Sequence, residues 1–278
     1  MPAERYADLM DQAIVQYWQN IAGEWDKMAQ SWQTERGLWL LGPANYVVRT
    51  ECLWAVDPML RMHDAETMML PRVGRDLAGV RFALISHLHS DHYRLPFLRE
   101  MGTPGVSLVV PDWIAADDLA TLRETGAEVI PVCAGMRLQF DGVAVDVLPG
   151  WHYDFNRPEQ GVPSLAFLVT TREQTFLFPG DVRDFDHCEM PANCDVMVGH
   201  VWLGRNSALL SPKETVLQSF ARYAQRLQPK RLLLTHLYDL RRKDSDLWTY
   251  KHAMWIQDAL RDSGIQVDIP MPGETIPL

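Results

Sequence analysis

Along the first 36 residues the apolar positions return every third or fourth place: Tyr6, Leu9, Met10, Ala13, Ile14, Tyr17, Trp18, Ile21, Trp25, Met28 and Trp32. That spacing lines them up along one face of a helix. The pattern predicts a long amphipathic helix over residues 4–36, stopped at Gly37 and bent or broken at Gly23. A face so rich in aromatic side chains needs cover. Three coverings suit it: the body of the same domain, a second copy of the chain in a homo-oligomer, or a lid position over a site.

From Leu38 the period shortens and strands begin. Leu38 to Leu41, Tyr46 to Val48 and Leu53 to Val56 are separated by the turns Gly42-Pro43 and Thr50-Glu51, a spacing that suits hairpins. Phe82 to Ile85, Val106 to Val110 and Glu128 to Val132 alternate with helical stretches at Tyr93 to Glu100 and Pro111 to Glu124. Met136 to Phe140 and Val143 to Leu148 face each other across Asp141-Gly142, a strong hairpin signal. Leu165 to Val169, Thr175 to Phe178, Val196 to Val198 and Arg231 to Leu234 continue the strands, and Pro212 to Leu227 and Leu247 to Ser263 read as flanking helices. Strands in runs, then strands mixed with helices, predict an α/β protein with two sheets between helical layers, a four-layer αββα sandwich. The chain divides into a helical segment, residues 1–36, and one large domain, residues 37–278. A chain of 278 residues buries an ample core in a domain of that kind.

The chemistry concentrates at one strand end. His87-Leu88-His89-Ser90-Asp91-His92 places three imidazoles and a carboxylate directly after Phe82 to Ile85. Imidazole nitrogen and carboxylate oxygen suit Zn²⁺, Mn²⁺ and Fe²⁺, and in extended chain His87 and His89 point the same way. Other strand ends supply more donors of the same type: Trp151-His152 after Val143 to Leu148, Pro179-Gly180-Asp181 after Thr175 to Phe178, and Thr235-His236 after Arg231 to Leu234. So many donors exceed the needs of one ion.

At these residues the chain resembles the metallo-β-lactamase superfamily, from about Gly37 onward, with HxHxDH as the most specific motif. The resemblance implies the αββα fold and a dinuclear centre. It assigns His87, His89 and His152 to the first ion, Asp91, His92 and His236 to the second, and Asp181 to both. Asp57, in Val56-Asp57-Pro58, would orient a ligand histidine. Two divalent ions are therefore expected, with Zn²⁺ first on affinity order and Mn²⁺ or Fe²⁺ also suited. Asp181 stands where the commonest true β-lactamases carry a cysteine, and those enzymes lack a histidine after the cluster aspartate, so antibiotic hydrolysis is disfavoured. The pattern is similar to glyoxalase II, tRNase Z, the phosphodiesterases and the lactonases.

The expected reaction is hydrolysis of a small anionic ester, meaning a lactone, phosphodiester or thioester, by a hydroxide shared between the ions. Asp91, Asp57 and His200 are the candidates for catalytic roles. Trp151, Tyr153, Arg157, Trp202, Arg205 and Arg241 are candidates for substrate binding, from the loops beside the ligands and the basic run Arg241-Arg242-Lys243. A net charge of −10 repels phosphate backbones, which disfavours a nuclease of the tRNase Z or RNase J type. An iron-dependent redox enzyme on the same scaffold is the third reading. Cys52, Cys133, Cys188 and Cys194 show no metal spacing and suit a reducing, cytoplasmic compartment, with a Cys188–Cys194 disulfide left open. No stretch has the length of a membrane span.

Overall fold

A computed structural model describes residues 3–60, 63–154, 157, 159–204, 207–209 and 215–278. The chain builds two seven-stranded sheets in nearly unbroken sequence order. The first holds β1 (Gly37–Gly42), β2 (Asn45–Arg49), β3 (Leu53–Val56), β4 (Val80–Leu84), β5 (Ser107–Pro111) and β6 (Glu128–Val132). The second runs through β7 (Arg137–Phe140), β8 (Val143–Pro149), β9 (Leu165–Thr170), β10 (Thr175–Phe178), β11 (Val196–His200), β12 (Arg231–Thr235) and β13 (Gln266–Asp268). The chain then returns to the first sheet, adding β14 (Thr275–Ile276) beside β1. Each sheet is antiparallel at one end and parallel at the other: β3 to β6 pair in parallel, and so do β10 to β13.

Strands covered on both faces are largely apolar, and β1, β3, β5 and β11 are buried at every position, Ser107 and His200 being the polar exceptions at their ends. Between the sheets Trp54 stacks on Phe82 at 5.6 Å and meets Phe176 and Phe178 edge-on. Helices cover the outer faces. On the first sheet lie α2 (Ile21–Thr34), α3 (His63–Asp76), α4 (Leu95–Met101) and α5 (Ala116–Arg123), while α1 (Ala3–Gln19) straddles both halves, with Tyr17 in the first core and Ile14 in the second. On the second lie α6 (Thr215–Leu227) and α7 (Tyr250–Ala259). This is the αββα sandwich. No helix among the described residues is long and apolar enough to cross a membrane.

From Ile14 onward the N-terminal stripe is covered by its own chain, while Leu9 is exposed. Tyr17, Ile21, Trp25, Met28 and Trp32 sit in the core of the first sheet, and Ile14 joins the core of the second. Polar tips find partners there: Trp25 Nε1 donates to Asp76 Oδ2 at 2.7 Å, Trp32 Nε1 to the Asp76 carbonyl at 3.0 Å, and Tyr17 OH to the Leu41 carbonyl at 2.9 Å. The helix breaks at Asn20, which leaves helical geometry at φ −111°, ψ 27°, and not at Gly23, which continues α2. An apolar stripe reports a shared face but not a single-residue interruption in the backbone.

Three more elements differ from the sequence pattern. Helix α3 contains Pro71 and Gly74, both unfavourable inside a helix, so propensity conceals it. Tertiary packing outweighs that cost: an added side chain at Gly74 would come within 2.7 Å of the Glu100 carbonyl, so glycine lets α3 and α4 approach closely. Helix α5 starts at Ala116 rather than Pro111, and α7 spans Tyr250–Ala259, well short of the residues with helical character. Pro212, expected to open α6, lies outside the described residues.

Candidate metal centre

Six strand ends converge on one cluster, among them that of β11 at His200. β4 runs out through Ser86 into the histidine cluster, where the His92 and Tyr93 amides close turns onto the His89 carbonyl at 2.9 Å each. β3 ends at Asp57, β8 leads to His152, β10 to Asp181 and β12 to His236. To aim their side chains inward, Asp57 and His236 adopt left-handed backbone at φ 45° and 64°. Non-glycine residues there carry strain that the surroundings must hold. The Asp57 amide is tied to the Leu84 carbonyl at 2.8 Å and the His236 amide to the Pro43 carbonyl at 2.5 Å.

Two groups of donors result. His87, His89, His152 and Asp181 form one, and His92, Asp181, His200 and His236 the other, with the atoms in each within 4.8 Å of one another. Asp181 belongs to both. In the first, His89 Nδ1 stands 3.1 Å from His87 Nε2 and 3.2 Å from His152 Nε2, and Asp181 Oδ2 lies 3.8 Å from His152 Nε2. In the second, His92 Nε2 is 3.5 Å from Asp181 Oδ2, and His236 Nε2 is 3.5 Å from Asp181 Oδ1 and 3.6 Å from Asp91 Oδ2. Donors on one tetrahedral ion, bonded at about 2.0–2.2 Å, stand roughly 3.3 Å apart. The spacing therefore fits metal ions. Buried His92 Nε2 and His236 Nε2 have no hydrogen-bond partner, so the cluster contains buried polar atoms that the protein itself does not satisfy. The imidazole–carboxylate set suits Zn²⁺, Mn²⁺ or Fe²⁺.

Behind the donors, Asp57 accepts hydrogen bonds from the Ser86 amide at 2.7 Å, Ser86 Oγ at 2.6 Å and His92 Nδ1 at 2.7 Å. Because Ser86 Oγ spends its proton on Asp57, it accepts from His87 Nδ1 at 2.9 Å. The proton on His87 is thereby fixed on Nδ1 and its Nε2 lone pair turned inward. Asp57 thus orients a histidine of each group, one directly and one through Ser86. Sequence reasoning identified Asp57 but missed Ser86, whose only signal is its place just before His87 at the strand end.

Electrostatics follow from burial. Burial and the neighbouring His92 push His87 well below the usual imidazole range, and burial takes His152 down to about 4. Both are neutral, the form that binds metal. Burial alone would lower His92, but the Asp181 and Asp57 carboxylates outweigh it and raise it well above the ordinary value. Burial alone would raise Asp181, yet His236 and His92 hold its carboxyl well below the usual range.

The centre opens into a cavity of about 880 Å³ lined by His89, Asp91, His152 and Asp181 together with Arg157, Arg183, Trp202 and Arg242 and the acidic Asp154 and Glu159. Of the residues expected to bind substrate, Trp202 and Arg157 line this cavity, Arg157 with its guanidinium 3.0 Å from Asp154 Oδ2. Trp151, Tyr153 and Arg241 are not among the described residues lining it, and Arg205 lies outside the described residues. Within the basic run it is Arg242, not Arg241, that turns inward. Its guanidinium donates to Asp91 Oδ2 at 2.8 Å, Asp239 Oδ2 at 2.8 Å and Asp246 Oδ2 at 2.9 Å, and lies 5.3 Å from the Trp202 ring centroid. Arg242 is thus a strut for Asp91. Arg183, two residues beyond Asp181, also stands over Trp202, at 4.9 Å. His200 is buried, with Nδ1 2.7 Å from Asp181 Oδ1 and Nε2 2.9 Å from Tyr46 OH.

Solved structures resemble the whole sandwich. The metallo-beta-lactamase fold protein YhfI from Bacillus subtilis aligns at a TM-score of 0.62 and 15% identity, covering 86% of this chain and 97% of its own. An isothiocyanate hydrolase from Delia radicum gut bacteria aligns at 0.58 and 18%, covering 87% and 98%. CmlA, a diiron β-hydroxylase from Streptomyces venezuelae, aligns at 0.58 and 16%, covering 88% of this chain and 55% of its own. At such identities the likeness speaks for the fold alone. No curated protein matches the chain. A family model for a beta-lactamase superfamily domain, however, matches residues 52–237, a stretch that holds Asp57 and all the converging donors. With well over half of its length inside that match, the chain belongs to the metallo-β-lactamase superfamily of metal-dependent hydrolases.

Proposed function

We propose that the protein hydrolyses a small anionic ester (a lactone, phosphodiester or thioester) with two divalent ions, zinc by preference. The observation that carries this reading is Asp181, buried, shared by two sets of donors and lining a cavity that Arg183 and Trp202 also line. Bound there, the ions would supply water activated at neutral pH and positive charge to polarise the ester oxygen. His87, His89 and His152 would hold one ion; His92, His236 and Asp91 the other; Asp181 both.

The chain does the rest. Asp57 and Ser86 keep the ligand histidines in their binding tautomers, and Arg242 fixes Asp91. Arg183 and Trp202 stand where a carboxylate or phosphate of the substrate would lie, since a guanidinium presents a planar fork to either group. A net charge of −10 favours a small anion over a polyanion spread across the surface. All four cysteines are free, and burial pushes Cys188 and Cys194 each up to about 12, so neither offers a thiolate to the site at neutral pH.

Metal analysis of the purified protein, followed by assay on lactones, bis-nitrophenyl phosphate and thioesters, tests the proposal. We expect two ions per chain and turnover of one bond type, with Asp181→Asn losing metal and activity together. An Asp181→Asn protein that loads fully and turns over normally would refute it.

A further inference from the structure

His200 lies at the end of β11 with both ring nitrogens engaged. Nδ1 faces Asp181 Oδ1 at 2.7 Å; Nε2 faces Tyr46 OH at 2.9 Å; Tyr46 OH in turn lies 2.7 Å from Thr235 Oγ1. All four residues are buried. Tyr46 belongs to β2 of the first sheet, whereas His200 and Thr235 belong to neighbouring strands of the second. The line of contacts therefore crosses the sandwich and ends on the carboxylate common to both donor groups.

Proximity alone would make His200 a further metal ligand. The distances argue otherwise. His92 and His236 stand 3.5 Å from the Asp181 oxygens, as co-ligands of one ion do. His200 stands 2.7 Å away, too close for a second donor on the same ion, where roughly 3.3 Å is expected, and right for a charge-assisted hydrogen bond. Hydrogen-bond direction agrees. If His200 carried its proton on Nε2, Tyr46 would have to donate to Thr235 and Thr235 to the Gly199 carbonyl, 3.5 Å off and at the limit of bonding. A bare Nδ1 would then face an oxygen with no proton between them. With the proton on Nδ1, Thr235 donates to Tyr46, Tyr46 to Nε2, and Nδ1–H to Asp181, each at 2.7–2.9 Å.

We propose that His200 is a positioning residue: held as the Nδ1–H tautomer by Tyr46 and Thr235, it fixes the rotation of Asp181 and so the distribution of its two oxygens between the ions. Without that bond Oδ1 is free to turn from His236, and the second site loses a donor. The inference rests on the dinuclear reading above.

Histidine-labelled ¹⁵N NMR of the metal-free protein reads the tautomer, and metal titration followed by elemental analysis reads the second ion. We expect the His200 proton on Nδ1 in the wild type, and a Tyr46→Phe protein in which that preference is lost while the fold, by circular dichroism, stays. His200→Ala should weaken the second ion by roughly 10- to 100-fold. His200→Asn, whose amide N–H reaches the same oxygen, should recover most of that loss. A wild-type proton on Nε2, or wild-type metal affinity in His200→Ala, overturns the proposal, as does a His200→Asn protein no better than His200→Ala. A wild type that binds no metal would sink the hydrolase reading instead, and the metal-free spectrum would still decide the tautomer.

Discussion

Ser86 shows how much a single hydroxyl decides in this centre. Its one proton goes to Asp57 Oδ2, and that donation makes its oxygen an acceptor for His87 Nδ1. Removing the hydroxyl leaves a buried imidazole nitrogen without a partner and its tautomer undetermined. Ser86→Ala should therefore weaken the first ion by roughly 10- to 100-fold, as loss of a residue that orients a ligand does. Ser86→Thr, which keeps the hydroxyl, should come closer to the wild type, and isothermal titration with zinc measures both. Equal affinity for Ser86→Ala and wild type would show that His87 needs no such support. The candidate donors were legible in the sequence because four of them crowd into six residues after one apolar strand and the other three each follow a strand of their own. Ser86, Tyr46 and Thr235 were not legible. A serine before a histidine, a tyrosine in a strand and a threonine at a strand end are ordinary residues until the fold brings them together.

At the scale of elements, α2 acts as a clamp on the first sheet. Trp25 and Trp32 are fully buried, meet edge-on at 5.4 Å, and hang their indole N–H groups on Asp76 at the end of α3. Trp25→Ala would open a cavity under α2 and strip Asp76 of a donor, costing about 3–5 kcal/mol. For a chain of this size each kcal/mol lowers the melting temperature by roughly 2–4 °C, so a fall of about 6–20 °C is expected, with metal content unchanged. Differential scanning fluorimetry beside elemental analysis would check this, and an unaltered melting temperature would mean that α2 packs loosely. The apolar period predicted such a face and left open what covers it, because an amphipathic stripe looks the same from either partner. It hid α3 for a different reason: Pro71 and Gly74 oppose the helix locally, and only contacts distant in sequence compensate.

On the scale of the molecule, the centre joins the two halves of the sandwich. His87, His89, Asp91 and His92 follow β4 of the first sheet, while His152, Asp181 and His236 follow β8, β10 and β12 of the second. The division into sheets was readable from strand periodicity, but their convergence on one point depends on pairing order, which no local pattern encodes. Any ion bound to both sets cross-links the sheets and binds the folded chain alone, so its affinity adds to stability by mass action. At a free concentration 100-fold above the dissociation constant the gain is about 2.7 kcal/mol, or roughly 5–11 °C in melting temperature. Chelation followed by dialysis should lower the transition by that amount, and zinc should restore it in proportion to the logarithm of its concentration. In Asp181→Asn the restoration should shrink, since that carboxylate alone belongs to both groups. A melting temperature indifferent to chelator and to excess zinc would show that the two sheets are held by their shared core without help from the centre.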